Sequence, residues 1–218
     1  MKEDPTIASH LTRLAQECPT QTALIYPGGQ MSYQELEETS KRCAQGLVRN
    51  GFSPGTRSVL MVKPGPELMV LAFALLRIGA IPVLVDPGMG WSKLKRCLGE
   101  ALPDAFIGTT IAHIARLVLG WAKGSIKTQI AVGPLARFFG IPYSKIVQSS
   151  APANIKLCDI DIDDPAAIVF TSGSTGVPKG VVYTHRMFNA QARLLRDTFN
   201  IEPGEVDLAT FPLFALFD

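Results

Sequence analysis

The chain has 218 residues, 47% hydrophobic and 18% charged, a composition that can bury a sizeable core and excludes an intrinsically disordered protein. Its 21 Lys and Arg against 19 Asp and Glu give a formal charge of +2, and no run of basic residues could track a phosphate backbone, which argues against nucleic acid as a partner. Glu3, Asp4 and Pro5 stand where a signal peptide would be basic and then apolar, and Cys18, Cys43, Cys97 and Cys158 form no C-x-x-C pair. A cytoplasmic protein with reduced thiols, and neither a disulfide framework nor a zinc site, is the expectation.

In chain order, Ile7, Leu11, Leu14, Ala15 and Cys18 recur at helical spacing before Pro19. "TALIY" reads as a strand, and "PGGQ" at 27–30 turns the chain into "MSYQEL", where Ser32 and Glu35 have capping-box spacing. The helix they open should end at Asn50–Gly51, with Gly51 as its left-handed cap. Strand "SVLMV", helix "ELMVLAFALLRIG", strand "IPVLVD", helix "WSKLKRCLGEAL", strand "AFIG", helix "AHIARLVLGW" and strand "TQIAV" follow. The apolar stretch 68–86 is no membrane span, because Arg77, Gly79 and Pro82 divide it into a helix and a strand. Strands alternating with helices of about ten residues predict an α/β fold, a mostly parallel sheet with helices on both faces. Residues 133–160 read as irregular connection with one short strand at most. Beyond them, "AAIVF" (166–170) and "VVYTH" (181–185) read as strands around a loop, followed by a helix over 186–200.

That loop, "TSGSTGVPKG" at 171–180, has the composition of a slack spacer, but two apolar strands pin its ends, which a linker between domains would not show. Gly173, Gly176 and Gly180 permit backbone angles that let N–H groups converge on an anion. Thr171, Ser172, Ser174 and Thr175 add hydroxyl donors, and Lys179 adds a mobile cation suited to phosphate. Polyphosphate is the ligand that best matches this set. A Walker loop would place Lys directly after Gly at a helix start; here Lys179 precedes Gly180 and leads into a strand, which disfavours a P-loop phosphotransferase.

"FTSGSTGVPKGVVYTH" resembles the phosphate-binding signature of the adenylate-forming (AMP-binding) superfamily, which includes the acyl-CoA synthetases. "MSYQEL" and "LLRIGAIPVLVDPGMG" resemble two earlier elements of that superfamily, in the same order. More narrowly, "RIGAIPVLVDPGMG", "FIGTTIAHIARLVLGW" and "TFPLFALFD" resemble the β-lactone synthetases of bacterial olefin biosynthesis, often named as fatty-acid CoA ligases. Ala215 stands where many relatives have histidine and Asp218 where glycine is common, a departure from the thioester-forming pattern.

The resemblance implies an ATP-dependent, Mg²⁺-assisted ligase that activates a long-chain fatty or 3-hydroxy fatty acid as its acyl-adenylate. The anhydride is then opened by the thiol of CoA or by the substrate's own β-hydroxyl, and the chain does not choose between them. By this resemblance Thr171, Ser172, Gly173, Ser174, Thr175, Gly176 and Lys179 cradle the β- and γ-phosphates. Lys179 is the catalytic charge and Thr171 the hydroxyl nearest the metal. Counterparts of the superfamily's later "YGxTE" element, ribose-binding aspartate, hinge and C-terminal lysine are absent from the sequence. Residues 1–218 are therefore expected to form the N-terminal part of an adenylation domain, inactive alone. The alternative is a non-catalytic phosphate- or nucleotide-binding module or interaction scaffold. Small molecules, and other enzymes of the same pathway, are the expected partners. His10, His113 and His185 are expected to be structural, Trp91 and Trp121 to pack helices, and 159–165 to form an acidic turn; "FPLFALF" reads equally as acyl tunnel or core.

Overall fold

The computed structural model describes residues 6–148, 160–171 and 178–208. Helix α1 (Ile7–Glu17) is capped by Thr6, whose side chain accepts from the Ser9 N–H. Strands β1 (Thr22–Tyr26) and β2 (Gly29–Ser32) pair antiparallel as a separate ribbon. Strand β2 was not expected, because four residues carry too little periodicity to register. Ser32 then caps α2 (Tyr33–Arg49): its Oγ accepts from Glu35 N, and the Glu35 carboxylate accepts from Ser32 N at 2.8 Å. Gly51 follows at φ +88°, as expected of the chain leaving this helix.

From here the alternation holds. It comprises β3 (Arg57–Met61), α3 (Pro66–Arg77), β4 (Ile81–Leu84), α4 (Trp91–Ala101), β5 (Ala105–Thr109), α5 (Thr110–Leu119) and β6 (Thr128–Val132). In the region expected to be irregular, a short β7 (Ile141–Pro142) leads directly into a helix, α6 (Tyr143–Gln148), which periodicity did not disclose. The chain continues through β8 (Pro165–Thr171), β9 (Lys179–Thr184) and α7 (His185–Phe199).

Seven strands form one sheet in the order β7-β6-β5-β3-β4-β8-β9, with every neighbouring pair parallel except β8 and β9. Pro82 cannot donate to a ladder, and β4 pairs with β8 only from Val83 onward. Successive strand residues feed opposite cores. Leu60, Ile107 and Val169 pack with α2, α3 and α6, while Val59, Phe106 and Phe170 pack with α4 and Trp121. On the first face α2 meets α6 so closely that a Cβ on Gly46 would collide with the Ile146 carbonyl. That face also buries a charged knot. The Glu37 carboxylate accepts from Arg77, from Lys41 (2.8 Å) and from Thr12 Oγ1 (2.8 Å), tying α1, α2 and α3 together.

Candidate functional site

Parallel strands end together, and β3, β4, β5 and β8 all deliver their C-terminal ends to one edge of the sheet. Ligands of open α/β sheets bind at that edge. Strand β8 reaches it at Thr171, and β9 leaves it at Lys179. Their register is Val169↔Val181, Phe170↔Gly180, Thr171↔Lys179, so the two site residues at the ends of the loop face each other in the last pair of the hairpin. Lys179 is exposed and Pro178 buried, which presents the ammonium group to solvent on a fixed stem. Ser172, Gly173, Ser174, Thr175 and Gly176 lie outside the described residues, as does the side chain of Thr171.

The structure changes the reason for one glycine. Gly180 sits in ordinary strand conformation and does not use a left-handed angle. What requires its missing side chain is the Phe170 ring, 3.0 Å from where a Cβ would stand. Lys179 opens strand β9 at the edge of the sheet, which also removes the P-loop phosphotransferase reading, since that loop needs its Lys at a helix start.

Along the same edge lies a cavity of about 520 Å³, walled by Leu60, Leu84, Val85 and Leu94 and bearing Lys63, Asp86 and Thr109 at its polar points. Asp86 holds the turn after β4, its Oδ1 accepting from Gly88 N at 2.6 Å. Sequence reasoning passed over Lys63 and Asp86. Their signal was positional: each follows closely on the end of a buried parallel strand.

The other polar candidates are structural. His185 is fully buried at the start of α7, with Nδ1 accepting from Ile7 N at 3.5 Å, and burial pulls its pKa below the ordinary histidine value. His113 is buried against Phe106, its Nε2 within 3.0 Å of the Ile130 carbonyl. His10 pairs with Asn189 at 3.0 Å. The acidic turn closes on itself: Asp161 N donates to Asp164 and Asp163 N to Asp161, both at 2.9 Å, while Arg186 holds Asp163 through two bonds of 2.6 and 2.8 Å. Among the described residues no group of three His, Cys, Asp or Glu could hold a metal. Trp121 is buried and stacks on an exposed Trp91, with centroids 5.9 Å apart.

Residues 11–218 match the family model described as AMP-binding enzyme. The chain belongs to the AMP-binding enzyme family. Among curated proteins it is 48% identical to an olefin β-lactone synthetase of Xanthomonas campestris pv. campestris over 97% of this chain and 40% of that protein. To the olefin β-lactone synthetase of Stenotrophomonas maltophilia it is 45% identical over 100% of this chain and 42% of the relative. The chain thus spans about two fifths of the length of these AMP-binding relatives. A crystal structure of a long-chain-fatty-acid-CoA ligase from Archaeoglobus fulgidus superposes with a TM-score of 0.79 at 22% identity, over 91% of this chain and 40% of that one. At that identity the likeness speaks for the shared α/β fold. It bears out the mostly parallel sheet with helices on both faces.

Proposed function

We propose that the native gene product is an ATP-dependent acid-activating ligase, in which the segment between β8 and β9 holds the β- and γ-phosphates of ATP. The substrate is a long-chain 3-hydroxy fatty acid, activated as its acyl-adenylate and closed to a β-lactone by its own hydroxyl. The observation that carries this reading is the pairing of Thr171 with Lys179 at the C-terminal edge of a parallel sheet. That pairing fixes both ends of a glycine- and hydroxyl-rich segment and sets a cation at its mouth. The high identity to two olefin β-lactone synthetases supports the lactone in preference to the CoA thioester.

Two anions must meet in such a reaction, so the protein's part is largely positioning and neutralisation of charge. The Lys179 ammonium, with the amides and hydroxyls of residues 171–176, would hold the departing pyrophosphate. The donor set fits magnesium as a passenger of the nucleotide: no carboxylate cage stands among the described residues, and the metal would be held by phosphate oxygens with the Thr171 hydroxyl. When bound there it supplies further neutralisation of phosphate charge.

ATP–pyrophosphate exchange with a long-chain 3-hydroxy acid tests this, with products scored for lactone against thioester in the presence and absence of CoA. Exchange and lactone are expected without CoA. Lys179→Ala should cost about 2–4 kcal/mol of transition-state stabilisation, by analogy with one lost oxyanion donor. An unchanged kcat/KM would remove Lys179 from the chemistry, and nucleotide binding without exchange would favour a non-catalytic module. The 218-residue chain by itself is expected to exchange negligibly, since it spans only 40% and 42% of the two relatives.

A further inference from the structure

A surface helix ordinarily turns its apolar stripe inward and its polar residues to water. Helix α5 departs from this: Ala112, Ala115 and Leu119 pack on the core, but polar side chains are buried beside them and larger apolar ones face out. Its inner face carries His113 and Arg116, both buried, the latter donating to Gln129 Oε1 at 2.7 Å with its guanidinium over the Phe106 ring. Its outer face carries Ile111, Ile114, Leu117 and Val118, spaced three, three and one apart and between 46% and 78% exposed. The Phe139 ring stacks on His113 with centroids 6.2 Å apart, which brings the neighbouring helical turn 136–138, with its 66% exposed Phe138, close to α5.

The stretch of chain that carries this stripe holds charge of one sign, although Arg116 in it is buried and Lys127 is paired with Asp104. Residues 105–158 contain no Asp or Glu in 54 consecutive positions but six Lys or Arg, although the whole chain carries nearly equal numbers of each sign. Exposed Lys123 follows the helix directly, and exposed Arg137 lies on the adjoining turn with its guanidinium 4.7 Å from the Phe138 ring centre. Aliphatic and aromatic side chains projecting from a helix that lies along the surface, flanked by cations and free of carboxylates over that stretch of chain, form the pattern of interfacial membrane binding. No described helix is long and apolar enough to cross a bilayer, so contact of this kind would be peripheral.

We propose that the outer face of α5, with Phe138 and the cations Lys123 and Arg137, docks on the surface of an anionic lipid bilayer. The apolar side chains enter the headgroup boundary and the cations meet lipid phosphates. The exposed stripe selects lipid over nucleic acid, whose backbone would reward cations but not four bare aliphatic side chains. The inference does not rest on the proposed ligase activity.

The test is sedimentation of the native gene product with vesicles, in the absence of nucleotide. Vesicles containing phosphatidylglycerol are compared with vesicles of phosphatidylcholine alone, at about 0.1 M and about 0.5 M salt, between which screening rises sharply. Binding to the anionic vesicles that weakens at high salt is expected. Leu117→Glu with Val118→Glu should lower partitioning about tenfold or more by placing carboxylates on the outer face that meets the lipid. Lys123→Ala with Arg137→Ala should remove most of the salt-sensitive part. Both pairs alter exposed side chains, so melting temperature and oligomeric state should stay at the parental values. No sedimentation above that of protein alone, or sedimentation unchanged in the Glu variant, would overturn the proposal. So would a Glu variant that dissociates an oligomer or loses thermal stability, because the face would then be covered by protein.

Discussion

Gly46 lies in the last turn of α2, and glycine inside a helix costs roughly 0.5–1 kcal/mol relative to alanine on helix propensity alone. The structure reverses that expectation, because the Ile146 carbonyl occupies the space a methyl group would need. Gly46→Ala should therefore destabilise the protein by roughly 1–3 kcal/mol, the usual cost of overpacking, read as a lower midpoint in urea unfolding. A midpoint at or above the parental value would mean that α6 can retreat. Gly180→Ala meets the edge of a Phe170 ring, not backbone, and that ring can yield by a few tenths of an ångström, so a smaller loss is expected there. Neither reason could be read from sequence, where a glycine announces freedom and not the neighbour that demands it. That strands flank the glycine- and hydroxyl-rich run before Lys179 was legible, because apolar runs bound it on both sides.

Helix α2 was predictable at the scale of the element, because a capping box is a local device spanning four residues. Ser32→Ala deletes one half of it and should cost about 1 kcal/mol, seen as a fall in melting temperature. Glu35, the other half, has its pKa lowered mainly by the bond from the Ser32 backbone N–H and further by the Ser32 hydroxyl. Its folded pKa lies below its unfolded one, so its contribution is present above the unfolded value and fades as pH falls through the folded value. Comparing melting temperatures of parent and Glu35→Gln across the acid range should therefore give a difference that closes at low pH; a constant difference would contradict the cap. Helix α6 was illegible for the opposite reason. Six residues are too few to be helical in water by themselves, and α6 exists because it packs on α2 across Gly46. Helix α5 was read as helix from its spacing, but periodicity cannot say which stripe faces the sheet.

For the whole molecule, two buried histidines on different elements act in the same direction. Burial lowers the pKa of His113 against an opposing pull from the Ile130 carbonyl and with help from Arg116, and lowers that of His185 against an opposing pull from Asp164. Both therefore take up a proton less readily in the fold than in the unfolded chain, so the unfolded chain binds more protons as pH falls through the ordinary histidine value of 6.5. Stability should fall steadily from pH 7 toward pH 5, and a melting temperature flat over that interval would refute it. The sequence by itself determined the alternation of strands and helices, the α/β class, and the two strands on either side of the hydroxyl-rich segment 172–177. These follow from periodicity, turn chemistry and residue type, which act over a few neighbouring positions. Only the tertiary structure decided that β3 lies between β5 and β4, that β8 adds beside β4, and that Thr171 meets Lys179 at the sheet's C-terminal edge. It also decided that Glu37 and Arg77, 40 residues apart, share one buried knot and that α5 turns its aliphatic stripe outward. Sheet order and facing depend on which apolar surfaces find one another across long separations, and no local pattern in the chain encodes that choice.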